Sequence, residues 1–132
     1  KAMYEAHLPA DPDWIIRKPD VKATLTIDKL RPILLKADRP DALLIVSHCD
    51  FIPFYNLMQE LNLRIPEDIS AVGFDDPDYA CHLSPPLTVF MQPIPQFTIQ
   101  AAEQLENMIL NRSMDQAKSC DAILIERNSC RV

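Results

Sequence analysis

Apolar and polar positions along this chain follow two rhythms in turn. Ala42-Leu43-Leu44-Ile45-Val46 is an unbroken apolar run of strand length, which predicts a strand covered on both faces and therefore a parallel sheet. Ile69-Ser70-Ala71-Val72-Gly73-Phe74, Leu87 to Met91 and Ala122 to Arg127 read as further strands, and Trp14-Ile15-Ile16 as a short one. Between them the spacing turns helical. Ile27 to Ala37 carries apolar residues at 27, 30, 33, 34 and 37 despite Pro32, and Ile52 to Leu61 carries them at 54, 57, 58 and 61. Gln96 to Arg112 is an amphipathic helix, with Phe97, Ala101, Leu105, Met108 and Ile109 forming a stripe that must be buried against something. Pro77 to Leu83 predicts a short helical turn, and Leu8 to Asp13, with two prolines and two aspartates, a loop. Strands separated by helical segments of this length need crossover connections. The expected fold is an open, mostly parallel α/β sheet with helices on both faces.

Composition narrows the class. A chain of 132 residues is one domain or part of one, and 48% hydrophobic with 24% charged residues is ordinary for a globular protein. No apolar run approaches the roughly 20 residues of a membrane span. Lys and Arg number 13 against 19 Asp and Glu, a net charge of −6, and the basic residues are scattered, which argues against nucleic-acid binding by this segment. One glycine, where average usage of about 7% predicts roughly nine, excludes glycine-rich phosphate loops and with them kinases, P-loop NTPases and dinucleotide dehydrogenases. Cys49, Cys81, Cys120 and Cys130 are 32, 39 and 10 positions apart, with no C-x-x-C pair; they read as free thiols in a reducing, cytoplasmic setting. Lys1 to His7 reads as the last turns of a helix without a capping residue, so the chain is expected to begin inside an element of something longer.

In an open parallel sheet, ligands bind beyond the carboxyl ends of the strands. The strand exits here carry Arg17, Lys18 and Asp20; Ser47, His48, Cys49 and Asp50; Asp75, Asp76 and Asp78; and Gln92. Ser47 to Asp50 allows several readings. Cys49, His48 and a carboxylate have the residue types of a nucleophilic triad, but neighbours on one exit point in different directions. His48, Cys49 and Asp50 with Cys81-His82 have the ligand types of a metal site but no recognised spacing, so no metal and no cofactor is expected. Ser47 or Asp50 also serves as a cap for the helix near Ile52. Asp75-Asp76 is a phosphoryl-acceptor pair or a pair of turn caps.

Two longer stretches carry more. Arg64-Ile65-Pro66-Glu67-Asp68-Ile69-Ser70-Ala71-Val72-Gly73-Phe74-Asp75-Asp76 resembles the R-V-P-E-D-V-S-V-V-G-F-D-D signature of LacI/GalR-type transcriptional regulators. Leu83-Ser84-Pro85-Pro86-Leu87-Thr88, followed by Gln92-Pro93, resembles that family's next motif. Weaker likeness extends to His7-Leu8-Pro9, to Arg39-Pro40-Asp41-Ala42, and to Leu124 to Cys130, similar to the terminal L-V-V-R-G-S-T. The resemblance implies a periplasmic-binding-protein-like effector domain of two α/β lobes. Residues 1–132 would be a single partial domain, the C-terminal lobe, with about 94–120 returning to a first lobe outside this sequence. The helix-turn-helix would lie outside it too.

On family positions, Ser47-His48 falls on an Asn-Asp pair whose aspartate binds effector hydroxyls, and Gln92 on a glutamine at the lobe crossing. His48 cannot chelate two hydroxyls as a carboxylate does, unless Asp50 substitutes. Asn62 and Asn128 stand where the family often has glycine. The implied ligand-binding set is Ser47, His48, Asp50, Asp76 and Gln92, with Leu83 and Leu105 at a dimer interface. The implied function is sensing of a sugar or similar small polar effector, coupled allosterically to DNA binding by a non-enzymatic homodimer without membrane contact. The alternatives are a transport-associated sugar receptor and an α/β hydrolase or phosphotransfer enzyme using Cys49 or Asp76.

Overall fold

The computed structural model describes residues 2–8, 12–17, 25–113 and 119–131. Its elements run α1 (Ala2–Glu5), α2 (Leu25–Leu34), β1 (Ala42–Ile45), α3 (Phe51–Glu60), β2 (Ser70–Phe74), β3 (Thr88–Met91), α4 (Ile94–Ile109) and β4 (Ile123–Ile125). Short 3₁₀ turns occupy Pro12–Trp14, His48–Asp50 and Ala80–His82. The four strands form one sheet in the order β1-β2-β3-β4. β1, β2 and β3 are parallel, Leu44 lying beside Val72 and Val72 beside Thr88, while β4 runs antiparallel to β3 with Phe90 beside Leu124. The mostly parallel α/β sheet is therefore as expected.

Strand alternation sorts the sheet into two unlike faces. Leu43, Ile45, Ala71, Val89 and Ile125 face a core completed by Leu30 and Leu34 of α2 and by Phe51, Phe54, Leu57 and Met58 of α3. Gly73 belongs to this face, and a Cβ there would sit 2.5 Å from Phe51 Cζ and 2.9 Å from Leu87 Cδ2. The one glycine thus provides room for an aromatic ring rather than an unusual backbone angle. On the other face Leu44 is 61% exposed and Val46, Phe90 and Leu124 are also open. This corrects the expectation that Ala42 to Val46 is covered on both faces: the apolar run is real, but β1 is an edge strand with only one face packed.

A second correction concerns Trp14-Ile15-Ile16. Pro12–Trp14 forms a 3₁₀ turn closed by the Ile15 N–H on the Pro12 carbonyl, 3.1 Å, and Ile15 to Arg17 join no ladder. Apolar character makes a strand only where a neighbouring strand offers hydrogen bonds, and none of the four does so here. Arg17 is exposed, and Lys18 and Asp20 lie outside the described residues.

The scarcity of glycine is met at the helix ends. α3 closes with Asn62 N–H on Gln59 O at 3.1 Å and Leu63 N–H on Met58 O at 2.9 Å; α4 closes with Asn111 N–H on Met108 O at 3.3 Å and Arg112 N–H on Asn107 O at 2.9 Å. Both are Schellman ends, which require a left-handed residue, and asparagine supplies it at φ 53° and 51°. Asn62 therefore keeps the conformation that a glycine would take. His7, at φ 54°, closes α1 in the same way.

Candidate functional site

β1, β2 and β3 all end on one side of the sheet, and their exits converge there. From β1 the chain enters the His48–Asp50 turn, which the Tyr79 hydroxyl pins by donating to the His48 carbonyl at 2.6 Å. Tyr79 in turn stands edge-on to Phe51, ring centres 6.4 Å apart, and burial pushes its phenol pKa up. From β2 the chain leaves through Asp75, at φ 73°, a left-handed angle that aspartate tolerates better than most residues. Its N–H donates to the Phe90 carbonyl at 2.9 Å. From β3 comes Gln92, separated from α4 only by Pro93; the second residue of α4, Pro95, needs no N–H partner at that position.

These exits form a groove of about 460 Å³ lined by His48, Asp75, Asp76, Pro77, Met91, Gln92, Ile94 and Pro95. Gln92 Nε2 donates to Asp75 Oδ1, and His48 Nδ1 lies 3.9 Å from Asp75 Oδ2. That last gap exceeds hydrogen-bond range. Imidazole, carboxylate and amide thus present donors and acceptors to one side of a half-apolar wall, an arrangement suited to a small polar molecule with an apolar ring face.

The structure divides the residues singled out from sequence. His48, Asp76 and Gln92 line the groove; Ser47 and Asp50 do not. They line a separate cavity of about 300 Å³ on the far side of the same turn, walled by Trp14, Ile16, Ile27, Leu30 and Phe54 among others. Asp50 is only 9% exposed there and precedes α3 as its N-cap residue, without a side-chain capping bond. Asp76 shares the groove, but both of its oxygens are held by Arg127. Asp75, read in sequence as a strand exit and, with Asp76, as a phosphoryl-acceptor pair or turn caps, is the carboxylate that accepts from Gln92 and lies 3.9 Å from His48. The signal for choosing between adjacent aspartates was the terminal Arg127, which no local pattern connects to them.

The four cysteines are unbridged in the structure, Cys49 and Cys81 at exposed positions. Among the described residues no group of three His, Cys, Asp or Glu side chains is placed to hold a metal ion, and no helix is long and apolar enough to cross a membrane. Leu83 is half-buried against the core, and Leu105 is 58% exposed.

Residues 1–130 match the periplasmic binding protein-like domain. The chain belongs to that family. Its relatives are LacI-type repressors. It is 29% identical over 130 residues to a probable opine utilization operon repressor of Rhizobium rhizogenes, covering 97% of this chain and 65% of the relative. It is 31% identical over 130 residues to the transcriptional repressor PurR of Photorhabdus laumondii, covering 98% of this chain and 38% of the relative. The fold matches the transcription regulator CcpA of Lactococcus lactis with a TM-score of 0.82 at 18% identity, over 98% of this chain and 47% of that one. The chain thus spans less than two thirds of these relatives' length. The relatives compared are transcriptional repressors, which are not enzymes, and this sets aside the enzyme readings of Cys49 and Asp76.

Proposed function

We propose that this periplasmic-binding-protein-like chain is the C-terminal effector-binding lobe of a LacI-type transcriptional regulator. In this reading a sugar or similar small polar molecule binds in the groove of His48, Asp75 and Gln92, between this lobe and a second one. Effector binding favours one lobe arrangement over the other, and that shift in population reaches DNA-binding segments elsewhere in the parent protein, in the cytoplasm where the chromosome lies. The observation that carries the reading is convergence. The exits of three parallel strands place an imidazole, a carboxylate and an amide in one groove, at the position where open α/β sheets take ligands. The relatives' names bear on it as well, since one repressor is named for an opine utilization operon and another for a ribose operon.

Asp75 takes the place in this proposal that the sequence reading gave to Asp50. Asp76 contributes to the groove through its charge balance rather than as a direct acceptor, and Ser47 supports the turn that presents His48. Calorimetry on the full-length regulator with its cognate effector provides the test. His48→Ala, Asp75→Asn and Gln92→Ala should each weaken binding by roughly tenfold or more, the cost of about one lost hydrogen bond to a charged or buried group. Unchanged affinity in all three would remove the groove as the effector site.

A further inference from the structure

The terminal segment and the second aspartate after β2 meet beside the groove. Arg127 places Nη1 on Asp76 Oδ1 and Nη2 on Asp76 Oδ2, each at 2.8 Å, and Nη1 also donates to the Leu87 carbonyl at 2.8 Å. The pair is well shielded, with side chains 16% and 18% exposed. Arg127 is fixed through its backbone too, its N–H donating to Thr88 Oγ1 at 3.0 Å. A guanidinium fork matched to both oxygens of a carboxylate is the strong form of this interaction, and it consumes Asp76 as an acceptor.

The consequence for the groove is a matter of charge. Among the described residues its lining contains no Lys or Arg, and its carboxylates are Asp75 and Asp76. With Arg127 in place, the wall presents, among the described residues, one carboxylate without a fixed cation, that of Asp75; its neighbouring groups are the Gln92 amide and the His48 imidazole. We propose that Arg127, which does not line the groove, is its positioning and specificity-determining residue: by holding Asp76 it leaves Asp75 as the single exposed negative acceptor, so the wall takes donor-rich neutral or cationic ligands and turns away carboxylates and phosphates. Hydroxyl or ammonium groups can donate to Asp75 Oδ2, whereas an anion would meet it with no counter-charge. This proposal rests on the groove being the effector site, but its test needs no effector.

Ile94 lines the groove and is 55% exposed, so Ile94→Cys offers a thiol at its mouth. The labelling rates of that thiol by a trimethylammonium-bearing and by a sulfonate-bearing methanethiosulfonate are measured on the 132-residue chain at low ionic strength. Mass spectrometry resolves each cysteine-containing peptide. The cation-to-anion rate ratio should exceed that of free cysteine. Arg127→Met should raise it about threefold, by exposing a second negative charge nearby. Arg127→Lys should leave it near the starting value, and Asp76→Asn should lower it. Asp76→Asn combined with Arg127→Met should restore it. If Arg127→Met lowers only the unfolding temperature and leaves the ratio unchanged, Arg127 is merely structural and the proposal fails. Should Arg127→Met not fold, an unmoved ratio in Asp76→Asn overturns it equally. A groove that shows this charge response yet binds no effector would refute the proposed function and leave Arg127's role standing.

Discussion

Gly73 shows how one residue type can be required for space alone. The Phe51 ring occupies the position a side chain would take, so Gly73→Ala forces either the ring or β2 to move. Overpacking of a filled core costs about 1 to 3 kcal/mol, and the thermal unfolding midpoint should fall accordingly. Phe51→Leu should recover part of the loss in the Gly73→Ala background; if the double variant is less stable than the sum of the single effects, the clash is not the cause. Asp68 illustrates a different residue-level dependence. Its carboxylate accepts from the Arg64 N–H and Nε at 2.8 Å each and from Nη2 at 3.0 Å. Those bonds hold its pKa well below the usual carboxylate range. A depressed folded-state value stabilises the fold above the unfolded pKa of about 3.9, and the contribution disappears as pH falls through the lower folded value. The midpoint gap between the parent and Asp68→Asn should therefore be constant near neutrality and close in strong acid. A gap at pH 2 as wide as the one near neutrality would assign the effect to shape instead of charge.

Among the elements, α4 is oriented with its polar side inward. Gln100, Gln104 and Asn107 are half-buried, and Gln100 Nε2 donates to Cys120 Sγ at 3.0 Å, while Phe97, Leu105, Met108 and Ile109 are exposed. The helix stripe was legible from its spacing, but periodicity tells which residues share a face and not which face meets the sheet. Burying one large apolar side chain is worth about 1.5 to 3 kcal/mol, so a bare stripe of several favours association. The isolated chain should sediment as a dimer at tens of micromolar, and Leu105→Asp should return it to monomer. A stable parent monomer would rule out that surface as sticky. The same distinction explains the other elements. α3, β2 and β3 were readable because each has a full apolar pattern and packs on one core. Trp14 to Ile16 was misread because a ladder partner is not encoded in the segment itself, and β4's antiparallel direction went unread because alternation carries no polarity.

For the whole molecule, the site was legible as a rim before it was legible as a set of contacts. Strand exits pointed to His48 and Gln92, and the sheet brings them together. Ser47 and Asp50, one and two positions from His48, turn toward another cavity because the 3₁₀ turn rotates successive side chains away from one another. The preference for Asp75 over Asp76 was beyond local reading, because it depends on Arg127, 51 residues downstream of Asp76.

The last strand's continuation contributes more than a charge. Ser129 is fully buried; its hydroxyl donates to the Ala71 carbonyl at 2.6 Å and accepts from the Thr88 N–H at 2.8 Å, while its carbonyl accepts from the Ala71 N–H at 2.8 Å. β2 and β3 thus rely for their opening residues on a segment that reaches them only after α4 has been threaded past. Such distant pairings form late, because the loop must close before any of these bonds can repay its entropy. The sheet is fastened by its final stitch, and in unfolding experiments the amide protons of Ala71 and Thr88 should exchange together, timing the moment at which that stitch slips.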